Sequence, residues 1–342
     1  MEPQSTSELL TTAHPLQPFS RHCFNGDPKT ASYAELWLPT PPTGEKSIFI
    51  SDPLPDAGQE EISLTSLIRF WKHPVRFFLE QRLGLQLAIT EELLPDSEPF
   101  TLDPLTGYQI KNSMLIRLPA RRDPLFACRP AEASAQIPRG EIGRRHCREM
   151  LSQAASILER VHARGTSPAT THEFSLSLAS LRLSGNLDGL HDCGRISFRP
   201  GKCTAKDLLR LWIHHLLLCL TRPRSIDPVS IHIGTDATLT LPPVEEPGPE
   251  LERLVRLFLQ GMSEPLHFYP EVSYALASAA NPSTGMNKAH RKWYSSYFRG
   301  EEEDTAYTIA LRGRDPLDER FQELAEIFHP ILKIMERKDA TA

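Results

Sequence analysis

Hydrophobic spacing divides the chain into a sparse first stretch and a patterned remainder. Residues 63–83 read as two helical segments. Leu64, Leu67, Ile68 and Trp71 fall on one face behind Ser63 or Thr65 as N-cap. His73-Pro74 closes the first segment, because proline drives the preceding residue out of the α region. Pro74 suits the first turn of the second, which presents Val75, Phe78, Leu79 and Arg82 and stops at Gly84. A long loop holding Pro95, Pro99 and Pro104 follows. Ile142, Met150, Leu151, Ile157, Leu158 and Val161 form the stripe of a helix over 140–163. Phe174–Leu178 and Leu181–Gly185 alternate with period two, and Ile196–Phe198 reads as a third strand. Residues 206–220 are apolar on most of a helical surface, the sign of a buried element. A hairpin (Ser230–Ile233, Leu239–Leu241), a helix at 250–262 and a last helix near 317–335 complete the pattern. That last helix spaces Leu317, Phe321, Leu324, Ile327, Phe328, Ile331 and Leu332 along one face.

The order helix, three strands, buried helix, strands predicts an α/β (α+β) fold with a mixed sheet flanked by helices. Residues 1–57 have no such pattern. Pro15, Pro18, Pro39, Pro41, Pro42, Pro53 and Pro55 interrupt it, and the one helical hint is Ser32–Trp37. The chain therefore divides into an irregular segment, 1–57, and a main domain, 58–342.

Composition narrows the function classes. The 342 residues carry a net charge of −5, which excludes a uniformly basic nucleic-acid coat but not a local basic face. The longest apolar run, Leu216–Leu220, is far too short to cross a bilayer. Glu2, Pro3 and Gln4 follow Met1 with no basic or apolar leader pattern, so the cytoplasm is the expected location. The six cysteines form no C-x-x-C pair, and neither a zinc site nor a disulfide framework is expected. There is no G-x-x-x-x-G-K-[ST], so the chain itself is not expected to bind ATP.

Several segments carry a family likeness. They are His14-Pro15-Leu16-Gln17-Pro18-Phe19-Ser20, Ser32-Tyr33-Ala34 with Trp37, and Asp96-Ser97-Glu98-Pro99-Phe100. Tyr108-Gln109-Ile110, Arg199-Pro200, Gly261-Met262-Ser263-Glu264-Pro265-Leu266, Arg299-Gly300-Glu301 and Tyr307 continue the series. The most specific is Arg69-Phe70-Trp71-Lys72-His73-Pro74-Val75-Arg76-Phe77-Phe78. In order and spacing these resemble the C-terminal region of the exodeoxyribonuclease V gamma subunits, the RecC family. The resemblance implies that 1–57 is the end of a preceding helicase-like domain and that the rest is a PD-(D/E)xK nuclease-like domain. It also implies lost nuclease chemistry and a role as scaffold for the beta (RecB) and delta (RecD) subunits. In the family the subunit helps to split double-stranded ends and carries an unwound strand, while ATP and Mg²⁺ are used by the partners.

Active nucleases of that fold gather carboxylates around Mg²⁺, a hard cation that takes oxygen ligands. They do so at a helical histidine and acid after a glycine, a G-x-(I/L)-D strand, a D-x-K strand and a Q-x-x-x-Y helix. After Gly140 the helical positions hold Arg144 and Arg148, and Glu149 is one place off. Gly185-Asn186-Leu187-Asp188 fits the second pattern, so Asp188 is a vestigial ligand candidate, or simply opens a turn at Asp188-Gly189. Gly194–Lys202 contains no acid, and no glutamine occurs between Gln153 and Gln260. The reading is a pseudo-nuclease with no catalytic or metal-ligating residue, acting as a non-catalytic scaffold and strand guide in double-strand-break repair and recombination. The alternatives are an active Mg²⁺-dependent exonuclease with relocated ligands (Asp188 with Glu149 or Glu173), and a stand-alone DNA-binding module.

Candidate contact residues lie between 117 and 148, where eight arginines face three acids. Arg117, Arg121, Arg122, Arg139, Arg144, Arg145 and Arg148 are candidates for phosphate or for an acidic partner, set against a plain solvated face. Trp71, His73, Pro74, Phe77 and Phe78 read as a kinked helix pair anchoring aromatics. His73 stands where some nuclease relatives carry a cluster-ligating cysteine, and no cysteine triplet follows, so no iron–sulfur cluster is expected. His214-His215 reads as satisfied core histidines, since adjacent residues do not share a helix face. Glu301–Asp304 reads as a solvated acidic turn.

Overall fold

The computed structural model describes residues 10–17, 19–33, 48–87, 101–118, 124–134, 136–164, 167–178, 180–295 and 300–340. It forms two compact units, one ending at Ile48 and one from Phe49 to Ala342. In the first, the described residues hold a single 3₁₀ turn, Arg21–Phe24, capped by Ser20. Most of the Ser32–Trp37 hint lies outside the described residues.

The second unit is built on a seven-stranded mixed sheet. Its strands are β1 (Glu61–Ser63), β2 (Thr170–Leu178), β3 (Leu181–His191), β4 (Gly194–Phe198), β5 (Ser230–Ile233), β6 (Ala237–Leu241) and β7 (Glu336–Asp339). β3 pairs antiparallel with β2 along one edge. Along the other it takes β1 in parallel at Arg182–Ser184 and β4 antiparallel at Leu190–His191. β4 and β5 are parallel, so a crossover must join them, and β5, β6 and β7 continue antiparallel. β7 is an edge of four exposed charged residues, which discourages further pairing.

Twelve α-helices are described: α1 (Leu64–Lys72), α2 (Pro74–Phe77), α3 (Pro104–Arg117), α4 (Arg129–Ala133), α5 (Gly140–His162), α6 (Ala205–Thr221), α7 (Pro247–Ser263), α8 (Pro270–Ala277), α9 (Pro282–Trp293), α10 (Thr305–Leu311), α11 (Glu319–Ala325) and α12 (Phe328–Ile334). α6 is the β4–β5 crossover. Strand alternation divides the core. Ile196, Ile231 and Ile233 pack with Met114, Met150 and Ile157 of α3 and α5. Leu183, Leu187 and Leu239 pack with Trp212 and Leu216 of α6, Phe258 of α7, and Phe70 and Trp71 of α1. A third cluster joins Phe78, Tyr269, Trp293, Tyr307 and Phe321.

Several local expectations are corrected. Pro104 opens α3 rather than extending a loop, because the Asp103 side chain accepts the N–H groups of Leu105 and Thr106 and proline suits the first turn. The terminal helix is two helices. Pro330 lacks the N–H that a continuous helix would direct to Glu326, the C-cap of α11. Asp188-Gly189 is not the hairpin turn, which lies at Asp192-Cys193. Cys128 and Cys147, with Cα atoms 6.2 Å apart, form a single disulfide, a lone bridge rather than a framework.

Gly185, the glycine of G-x-L-D, has a packing reason. A Cβ there would lie 2.8 Å from Leu64 Cβ, and its φ of +156° is one that larger residues rarely adopt. The start of α1 can therefore sit directly on β3.

Candidate functional site

Asp188 does sit at an irregularity. Thr170 pairs with Leu190 and His172 with Leu187, so β3 has one residue more than β2 between these pairs. This is a β-bulge at Asp188-Gly189, with Gly189 at φ +66°, and a bulge re-aims the side chain it carries. Ile196 of β4 points toward α5, so its neighbours Arg195 and Ser197 point toward α6. By the same alternation Ser230 and His232 of β5 face α6. A polar layer thus lies beneath an otherwise apolar helix.

Arg195 dominates that layer. It is only 2% exposed, and its Nη2 donates to Asp188 Oδ1 at 2.9 Å. Burial opposes its charge and lowers its pKa, with Asp188 acting in the opposite direction. Burial alone would raise the Asp188 carboxyl, but the Arg195 hydrogen bond and charge hold it below the ordinary value. His214 Nε2 lies 4.0 Å from the same oxygen, and its Nδ1–H donates to the Arg210 carbonyl at 2.7 Å. Burial and then the Arg195 charge lower His214 to about 3. His215 bridges Ser230 Oγ at 3.0 Å and the Pro242 carbonyl at 2.9 Å, and burial lowers it to about 4. His232 Nδ1 meets Ser197 Oγ at 3.0 Å, and burial lowers it to about 4.

A second ion pair closes the layer. Asp207 caps α6, accepting from Thr204 N–H at 3.0 Å, from Thr204 Oγ–H at 2.6 Å and from Arg199 Nη1. The Arg199 guanidinium also lies over the Tyr108 ring, 5.3 Å from its centroid. The stretch expected to supply a D-x-K acid therefore supplies two cations, Arg195 and Arg199, each already seated on a carboxylate.

This set does not fit a catalytic Mg²⁺. Among the described residues Asp188 is the one carboxylate paired with Arg195, and a guanidinium that cannot deprotonate occupies its Oδ1. Glu149 lies on α5 paired with Arg145 at 3.1 Å, and Glu173 is exposed on β2 opposite Asn186. Among the described residues no three His, Cys, Asp or Glu side chains converge as metal ligands.

The other sequence candidates lie elsewhere. On α5, Arg144 and Arg148 both pair with Glu141, at 3.3 and 3.1 Å, on an exposed face. Arg117 is exposed at the end of α3, Arg139 precedes α5, and Arg121 and Arg122 lie outside the described residues. The structure does not bring Arg117, Arg139, Arg144, Arg145 or Arg148 into contact with Asp188. Trp71, Pro74, Phe77 and Phe78 are buried. His73 ends α1 and caps α2, its Nδ1 accepting the Arg76 N–H at 3.1 Å. Its ring stacks on Tyr307, and its Nε2 faces Asp304 at 3.3 Å. Arg76 reaches the same carboxylate at 2.9 Å. Asp304 thus ties α10 to the α1–α2 joint, and Glu301–Asp304 is more than a solvated turn. Sequence reasoning did not single out Arg195, Asp207 or His232. The signal was an arginine at an inward position of strand β4.

The RecC C-terminal domain family matches residues 59–281. Among curated relatives, the RecBCD enzyme subunit RecC of Escherichia coli is 28% identical over 90% of this chain and 28% of its own length. That of Haemophilus influenzae is 28% identical over 76% of this chain and 24% of its length. That of Mycobacterium tuberculosis is 27% identical over 91% of this chain and 30% of its length. The chain thus spans less than a third of the length of these relatives. Among the described residues no helix is long and apolar enough to cross a membrane.

Two outcomes follow from the polar layer. Asp188→Ala strands the buried Arg195 charge and is expected to cost about 3 kcal/mol, the low end for a broken buried pair because Asp188 itself is solvated. Arg195→Met in the same chain should recover most of that loss, as read from urea unfolding. The three histidines bind a proton more readily unfolded, near pH 6.5, than folded, near 3 to 4. Their contribution is full above pH 6.5 and is lost as pH falls toward 4, by about 1.4 kcal/mol per pH unit for each histidine. Melting temperatures from pH 7 to 4 should therefore drop steeply, and less so for His215→Gln.

Proposed function

Because the chain belongs to the RecC C-terminal domain family, we propose that it is a non-catalytic part of a RecBCD-type helicase–nuclease. Its core is read as a PD-(D/E)xK-like pseudo-nuclease domain that holds the RecB and RecD partners and guides DNA strands, acting in the bacterial cytoplasm during double-strand-break repair and recombination. ATP hydrolysis and Mg²⁺-dependent cleavage belong to the partners in this reading. The observation that carries it is the buried Arg195 guanidinium on Asp188. A cleavage site needs two or more carboxylate oxygens free for a divalent ion, and here the carboxylate in the G-x-L-D position already serves a fixed cation.

End-labelled single-stranded DNA incubated with the chain and Mg²⁺ or Mn²⁺ is expected to stay intact. Co-purification with the RecB and RecD subunits should be unaffected by Asp188→Asn. Divalent-dependent cleavage that Asp188→Asn abolishes would sink this reading.

A further inference from the structure

Cys128 and Cys147 meet across a joint of unequal halves. Cys147 sits well inside α5, a helix of 23 residues, and is 2% exposed. Cys128 ends the 3₁₀ turn Pro124–Cys128 and leads into α4, which has five residues. Neither short element is stable alone, because one turn of helix does not repay its nucleation. Little apolar surface holds them down. Ala127 and Ala131 are buried with Cys128 itself, while Arg129, Glu132 and Ala133 are exposed. The hydrogen bonds at the end of α4 are local, from Ser134 N–H to the Pro130 carbonyl and from Gln136 N–H to the Ala131 carbonyl, both at 3.0 Å.

A few residues on, the chain is gripped far more tightly. A Cβ on Gly143 would collide with the Pro138 carbonyl oxygen and lie 2.9 Å from Ile137 Cγ2, so residues 137–138 rest directly on α5. Gly143 and Cys147 are one turn apart and share a face of that helix. The α4 side of the joint is therefore pinned at two points, by close packing at Gly143 and by sulfur at Cys147. The Cα separation of 6.2 Å falls within the roughly 4.4–6.8 Å that a bridge spans. Cys23, Cys193, Cys203 and Cys219 are free thiols. Burial pushes the Cys203 thiol up to about 12 and raises that of Cys219, which makes both poor nucleophiles.

We propose that Cys128 and Cys147 are a reversible redox clasp, closed by a small-molecule disulfide of the oxidised-glutathione class and opened by the corresponding thiol. The Cys128 thiolate attacks one sulfur of oxidised glutathione and expels a glutathione thiolate, leaving a mixed disulfide. The Cys147 thiolate then attacks Cys128 Sγ and expels the second glutathione thiolate. One S–S bond forms as one breaks, the cysteine pair is oxidised as glutathione is reduced, and the two cysteine protons end on the two glutathione thiols. Cys128 leads because it lies on the weakly held element, whose lifting uncovers a sulfur that is otherwise buried. When the bridge is reduced, the Gly143 contact stays as a hinge, and α4 with its 3₁₀ turn is loosened. That the clasp is conditional rests on the cytoplasmic location in the reading above, since a reducing compartment does not keep such bridges closed.

The test is a glutathione redox titration of the full chain under anaerobic conditions, quenched in acid, alkylated and mapped by mass spectrometry. Cys128 and Cys147 are expected to be free together in excess reduced glutathione and joined in excess oxidised glutathione, with Cys203 and Cys219 free throughout. Hydrogen exchange at amides 126–134 should be about tenfold faster in the reduced chain, while amides 150–158 keep their rate. Cys128→Ala/Cys147→Ala should exchange at the fast rate in either buffer. A bridge that survives excess reduced glutathione is a permanent cross-link and overturns the clasp. A mixed disulfide on Cys128 that never passes to Cys147, or exchange at 126–134 that ignores redox state, also overturns it. A redox response retained by the double variant belongs to another cysteine and overturns the assignment. None of these results bears on the scaffold reading, which cleavage and co-purification test separately.

Discussion

The arrangement depends on one buried cation. A guanidinium stays charged at any physiological pH, so placing Arg195 under α6 demands a counter-charge within hydrogen-bond reach. The bulge at Asp188-Gly189 supplies it by turning a carboxylate out of the regular pleat of β3. Once that pair is set, the rest of the layer must be neutral or separately paired. His214, His215 and His232 are held uncharged, and Arg199 has Asp207 for its own. The helix that closes over the layer can then be almost wholly apolar elsewhere, which is why it doubles as the centre of the main core.

Much of this was legible in the sequence where period and local chemistry agree. The alternation through Phe174–Leu178 and Leu181–Gly185, the buried helix around Leu216, and the break at His73-Pro74 each follow from side chains whose placement is decided locally. β1 and β7 were not legible. The first has three residues and the second four charged ones, and both exist because a longer strand offers them an edge. α3 was readable from Asp103-Pro104, a cap followed by a first-turn proline, but the proline-rich approach to it read as loop.

The polar layer was half legible. The G-x-L-D fit drew attention to Asp188, and the missing acids in Gly194–Lys202 could be counted. That Arg195 answers one oxygen of the exposed Asp188 carboxylate is a tertiary fact. It depends on a one-residue bulge and on which face of β4 points at α6, and strand spacing alone does not fix either. The likeness to RecC subunits drew on short segments scattered through the chain, such as Arg69–Phe78. The structure gives that segment a job, joining the α1–α2 kink to α10 through His73, Arg76 and Asp304.

The most direct measurement is Mn²⁺ binding to the full chain, followed by electron paramagnetic resonance of the free ion. A layer already neutralised by Arg195 predicts no stoichiometric Mn²⁺ uptake, with the same titration for the unaltered chain and for Asp188→Asn. One tightly held Mn²⁺ per chain, lost on Asp188→Asn, would contradict the account.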